Sequence, residues 1–255
     1  MPNKSFTTPF PVEDENTTIW RYMDFTKFVS LLDKKKLFLC RADKLEDSFE
    51  GSLPLDNVES LKSEIYKEKA INGRWGVAKT EHYINDLSEG SKLLKNFTYI
   101  SSWYMSEHES AAMWRLYART NEAVAVKSTV KRLRKSLPKN EELLIGQMKY
   151  IDYKKEYIEE KSLTDRFFHK RKSFKYEEEV RVVIFNMNEK WDVKFQVTEV
   201  DGGIYITTKL GDLIEEIYVA PNSPNWFLEL VENAANLHKI NKPIIRTSLD
   251  DSALY

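Results

Sequence analysis

Cysteine is almost absent. Cys40 is alone in 255 residues, which excludes an internal disulfide framework and any zinc site built from two cysteine pairs. Histidine is nearly as scarce: His82, His108, His169 and His238 are scattered, none has the i, i+4 partner of a helical metal site, and no metal is expected. Missing too are a glycine-rich phosphate loop ending in Gly-Lys-Ser/Thr, a His-Glu-x-x-His and a Gly-x-Gly-x-x-Gly behind a strand, which argues against P-loop, zincin and dinucleotide-fold readings. Neither sign of charge dominates. Lys+Arg 39 against Asp+Glu 40 gives a net charge of -1, so contact with nucleic acid must come from a local patch rather than a whole-molecule field. No stretch approaches the roughly 20 apolar residues of a membrane span, and Met1 to Asn16 has no apolar signal-peptide core. With a single cysteine, the expectation is a cytoplasmic protein with no membrane partner.

What is present describes a folded chain: 42% hydrophobic, 13% aromatic and 31% charged residues fit neither a disordered nor a fibrous protein. The polar, proline-punctuated residues 1–16 read as a flexible arm and residues 17–255 as a single α+β domain. Ile19 to Met23 has strand composition, and Phe25, Phe28, Val29 and Leu32 mark the face of a short helix. Leu37 to Cys40 is a brief buried strand, and Asp56 to Leu94 reads as helix with breaks at Asn72–Gly73 and at Ser88 to Gly90. Phe97 to Ser101, Ala123 to Val126, Leu143 to Tyr153, Val180 to Phe185, Val193 to Val197, Ile204 to Thr208, Ile217 to Ala220 and Ile244 to Arg246 read as strands. Ser110 to Arg119, Val130 to Leu137, Asp165 to Ser173 and Asn225 to Leu237 read as helices. The order predicts an α+β fold, a mixed central sheet with helices packed around it.

Several segments place polar residues in otherwise buried elements. Arg21 shares a strand face with Ile19 and Met23; a buried guanidinium requires an anion, either a ligand's phosphate or a carboxylate such as Asp47 or Glu50. In Tyr176 to Arg181, alternation sets Glu177, Glu179 and Arg181 on one face at the start of a buried strand. Such a cluster either stabilises positive charge developing at a sugar carbon or forms a structural salt-bridge network. Ser101, Ser102 and Trp103 stand at a strand end, followed by Trp114 and Tyr117, an i, i+3 pair that reads first as core and second as a ligand platform. Lys131, Arg132, Arg134 and Lys135 lie beside Leu133 and Leu137 as a solvated amphipathic face. The run Phe167 to Lys172 mixes aromatics with cations, which suits a helix face before a nucleotide site.

Together these blocks resemble a family. Trp20-Arg21-Tyr22, the acidic loop Leu45 to Glu50, Met113 to Ala118, Tyr176 to Arg181, Ile217 to Pro221 and Arg246 to Leu249 resemble, in order and spacing from Thr17 onward, the bacterial domain-of-unknown-function family 2971. That family's loop reads Phe-Asn-Asp-Pro-Phe-Glu; here Leu45, Glu46 and Ser48 replace three of those residues, while Asp47, Phe49 and Glu50 remain. The resemblance implies the setting of phage defence or a toxin-type effector, with an operon-encoded partner.

The block order is also similar to that of ADP-ribosyltransferases, with an Arg on a first strand, a Ser-containing middle strand and a Glu-x-Glu before a later one. This implies a split sheet and NAD as the substrate, with no metal. Arg21 would hold the diphosphate, Ser101 and Ser102 the ribose, and Tyr22, Trp103 or Tyr176 the nicotinamide ring. Glu179, with Glu177 and Arg181 beside it, would stabilise the oxocarbenium-like transition state. The implied activity is an ADP-ribosyltransferase or NAD glycohydrolase, with a protein or nucleic acid as acceptor. Its competitors are a non-catalytic nucleotide- or partner-binding sensor and, from the carboxylates, a nuclease.

Overall fold

The computed structural model describes residues 8–73, 75–117, 120–139, 142–188, 190–191 and 193–251. Its elements are β1 (Thr18–Asp24), α1 (Phe25–Lys34), β2 (Lys36–Arg41), α2 (Leu55–Ile65), α3 (Val77–Leu93), β3 (Thr98–Met105), α4 (Ala111–Tyr117), β4 (Ala123–Thr129), α5 (Val130–Ser136), β5 (Leu143–Gln147), β6 (Lys149–Ile151), β7 (His169–Arg171), β8 (Glu179–Phe185), β9 (Thr198–Val200), β10 (Gly203–Thr207), α6 (Leu210–Leu213), β11 (Glu216–Val219), α7 (Asn225–Leu237) and β12 (Ile244–Arg246). The fold is α+β. Ten strands among the described residues form a mixed sheet running β12-β11-β4-β1-β3-β2-β10-β9, with β8 on the other edge of β3 and β5 beyond it. Only β11 and β12 run parallel in it.

Local signals explain the element ends. The Asp24 carboxylate accepts from the Lys27 amide at 2.8 Å and caps α1, and Lys35 leaves the helix in the left-handed region at φ 50°. Thr129 caps α5 by accepting from the Arg132 amide. On one side of the sheet Phe28, Leu32, Val124, Val126, Trp103, Val182 and Phe227 form the main core. On the other side Trp20 and Tyr22 pack with Met113 and Trp114 of α4, and Phe167 and Phe168 pack with Ile100, Leu144 and Val183. Burying these rings supplies much of the driving force, at about 25 cal/mol per Å² removed from water.

Several expectations change. Residues 8–16 lie against the sheet where a flexible arm was expected: Val12 is in the main core, Gln147 donates its amide to the Phe10 carbonyl at 2.8 Å, and the Phe10 ring meets His169 edge-on. Residues 1–7 lie outside the described residues, as do Ala118 and Arg119 at the end of the predicted helix over 110–119. The helix expected over 165–173 is a 3-10 turn at Asp165–Phe168, then β7, then a second 3-10 turn at Lys172–Glu177. Phe167 and Phe168 are both fully buried, and two consecutive buried rings do not suit one helix face. The strand expected at 193–197 is a 3-10 turn at Val193–Phe195 with Gln196 at φ 43°. α3 runs unbroken through Gly90, and β10 lies between β2 and β9. No helix among the described residues is long and apolar enough to cross a membrane.

Candidate functional site

The sheet branches at β3. One edge pairs with β8 along its length, from Thr98–Phe185 to Tyr104–Glu179. The other edge pairs with β1 at Tyr104 and Met105 and with β2 at Tyr99 and Ile100, which leaves Ser101 to Trp103 outside either register. Met105 donates its amide to Glu178 at 2.8 Å, so alternation turns the main-chain N–H and C=O of Ser102 toward the open edge. Ser102 is solvent-exposed in the middle of this central strand. An exposed residue there marks an opening in the sheet's covering.

Arg21 reaches into the gap. Its Nη1 donates to the Ser101 hydroxyl, its Nη2 donates to the Phe38 carbonyl at 3.2 Å, and its Cζ lies 5.6 Å from the centroid of the Trp103 ring. Burial pulls its pKa down to about 10, and no carboxylate among the described residues offsets that burial. Asp47 and Glu50, the acids expected to pair with it, are engaged elsewhere.

They join the second cluster. Arg181, fully buried on β8, places Nε on Glu179 Oε1 at 2.6 Å and Nη2 on Glu179 Oε2 at 3.2 Å. From the acidic loop, Glu50 takes Nη1 at 2.7 Å and Nη2 at 2.5 Å, and the Phe167 carbonyl accepts from Nη1 at 2.9 Å. These five contacts use all five donors of the guanidinium. Lys170 on β7 donates to Glu177 at 2.5 Å and to Glu179 at 3.3 Å. Asp47 binds Arg171 at 2.7 Å, whose guanidinium lies over the rings of Phe49 and Phe174. Glu178 is at φ 34°, and this left-handed turn lets Glu177 and Glu179, two residues apart, reach one ammonium.

Electrostatics follow the contacts. Burial alone would raise the Glu179 pKa, but Arg181, Lys170 and a hydrogen bond from Ser102 hold it down at about 2. Burial raises Glu177 above the ordinary carboxylate range against the pull of Lys170. Arg181 is pushed well above its usual value because Glu179 and Glu50 outweigh its burial. Tyr117 of α4 links the two clusters: burial, then Glu177 and Glu179, drive its hydroxyl upward, and it also acts on Arg21.

Ser102 and Glu179 lie on one face of the branch, with Glu177 beside Lys170, and Arg21 lies with Ser101 and Trp103 on the other face. Trp20, not Arg21, shares the face of Tyr104 and Glu179. Tyr176 is exposed beside the acids. Four of the expected site residues are buried and engaged with other protein groups. Trp103 is 1% exposed in the main core, because alternation turns it opposite Ser102. Tyr22 is buried, with its hydroxyl accepting from the Ser110 amide and its ring edge-on to Trp114. Ser101 is buried and holds Arg21, and Arg181 is enclosed by its own acids. Tyr117, expected first as core, is 47% exposed; its partner Trp114 alone takes the core position. Lys170 went unrecognised within its basic run, since only the fold shows which cation turns inward.

No family model matches the chain, and no curated protein matches it. Among solved structures, Thermus sp. 2.9 DarT in complex with NAD+ is similar at 10% identity, covering 94% of this chain and 100% of that one with a TM-score of 0.43. The same protein in complex with ADP-ribosylated ssDNA gives 10% identity, coverage of 96% and 99%, and a TM-score of 0.41. Its complex with carba-NAD+ gives 11%, coverage of 93% and 98%, and 0.38.

Proposed function

We propose that this chain is an NAD-consuming enzyme of the ADP-ribosyltransferase kind, a transferase or a glycohydrolase, working in the opening beside Ser102. The observation that carries the reading is Arg21, a desolvated guanidinium at the branch of the sheet whose partners are a hydroxyl and a carbonyl rather than an acid. A cation so placed has its electrostatic demand unmet, and the diphosphate of a dinucleotide meets it in a geometry that suits the planar fork.

Glu179 supplies the opposite charge. It is ionised throughout the neutral range, and Ser102, whose hydroxyl helps hold its pKa down, is the exposed group on the opening. When the bond between ribose and nicotinamide breaks, its electron pair leaves with neutral nicotinamide and positive charge spreads over the ribose carbon and ring oxygen. A fixed carboxylate behind Ser102 stabilises that charge more than it stabilises the ground state. Ser102 orients a ribose hydroxyl, Glu177 adds a second acid, and the exposed Tyr176 ring receives the leaving base. Water or an acceptor group, from a protein or a nucleic acid, then adds to the carbon and loses its proton.

Purified protein incubated with NAD should release nicotinamide or label an acceptor, and Glu179→Gln should abolish both. A second reading, a nucleotide- or partner-binding sensor without turnover, is favoured by the enclosure of Glu179, which is 3% exposed. NAD bound with micromolar affinity but left intact would establish that reading instead.

A further inference from the structure

The acidic loop at residues 45–50 lies outside the sheet, yet two of its three acids are buried against it: Glu50 is 3% exposed and Asp47 9%, while Glu46 is exposed. The loop is pinned at several points. Asp47 binds Arg171, Lys95 donates to the Ser48 carbonyl at 3.1 Å, and Gly51, at φ +62°, packs so closely on the Phe167 ring that a Cβ has no room. A segment held this firmly delivers the Glu50 carboxylate to one place.

We infer that Glu50 is a positioning residue for the Glu179 carboxylate, acting through Arg181; the inference rests on the role proposed for Glu179. Two carboxylates divide one guanidinium. Glu179 holds the Nε–Nη2 edge, and Glu50 holds the Nη1–Nη2 edge, whose remaining donor goes to the Phe167 carbonyl. Glu50 thereby fixes the plane of Arg181 and aims Glu179 toward Ser102. Without Glu50, Arg181 would lie undivided on Glu179, and that carboxylate would have less of its charge to offer a developing ribose cation.

The test is Glu50→Gln, whose amide sets an NH2 group against a guanidinium donor. The expected result is a fall in kcat for nicotinamide release of about 10–100-fold with KM for NAD unchanged, because Arg21 and Ser102 are untouched. Where Glu50→Gln fails to fold, Glu50→Asp keeps the charge, withdraws it by one methylene and should still lower kcat at constant KM. Wild-type kcat in whichever of these variants folds, or a matching rise in KM, overturns the inference. A readout without turnover separates it from the functional reading: urea unfolding of Glu50→Gln, Glu179→Gln and the variant carrying both should be non-additive, since both acids hold the same guanidinium. Additive losses overturn the positioning, whereas a wild-type chain inert toward NAD overturns the functional reading.

Discussion

Arg21 and Arg181 lie on β1 and β8, the strands either side of β3, and their surroundings are opposite. Arg181 has all five donors engaged by two carboxylates and a carbonyl, and its pKa rises. Arg21 has a serine hydroxyl and a carbonyl, and its pKa falls to about 10. A buried guanidinium with its anions built in belongs to the framework. One left without an acid among the described residues has its charge unmatched, and that difference is what the proposed function rests on.

The largest effect expected from this contrast is on stability. Arg181→Met should cost about 3–5 kcal/mol in urea unfolding, because it leaves Glu50 and Glu179 buried without their cation. Arg21→Met, which orphans no acid, should cost under about 1.5 kcal/mol; equal losses would erase the distinction. The same pair should reverse in ligand binding. Arg21→Lys should weaken NAD about 10–100-fold by calorimetry, since a point charge cannot reproduce the fork.

Acid separates the clusters in another way. Glu179 has a folded pKa of about 2 against 4.5 when unperturbed. Its stabilisation is therefore complete above about pH 4.5 and drains away as pH falls toward 2, by a few kcal/mol. Glu179→Gln should flatten that limb of the stability curve, and an unchanged slope would contradict the ion-pair account. The smallest effect on folding belongs to Ser102→Ala: within about 0.5 kcal/mol in stability, as for an exposed side chain, with nicotinamide release down about tenfold. A stability loss like that of Arg181→Met would make Ser102 a framework residue.

Much of the framework is legible in the sequence. The apolar runs of β1, β8 and β11 and the helical spacing of α1 and α7 are local patterns, and each element forms where its pattern predicts it. The failures lie where core packing, ion pairing or a left-handed turn overrides the local pattern. The run 165–173 has helical composition but folds as turns around β7, because the two phenylalanines are claimed by one core and Lys170 by Glu177 and Glu179. Glu177 and Glu179 were expected together by strand alternation; they meet through a left-handed residue instead.

The sequence by itself determined which charged residues sit in or beside apolar elements: an arginine in the first strand, a Glu-x-Glu before a buried one and an acidic loop between them, since charge inside an apolar run is costly wherever the run folds. Only the tertiary structure decided who pairs with whom. Glu50 and Arg181 are 131 residues apart, and no local rule assigns the loop's acid to β8 rather than to β1. The branching of β3 made that assignment by leaving Arg21 at a gap and carrying Arg181 across to meet the loop, because electrostatic partners are set by distance in space and not along the chain.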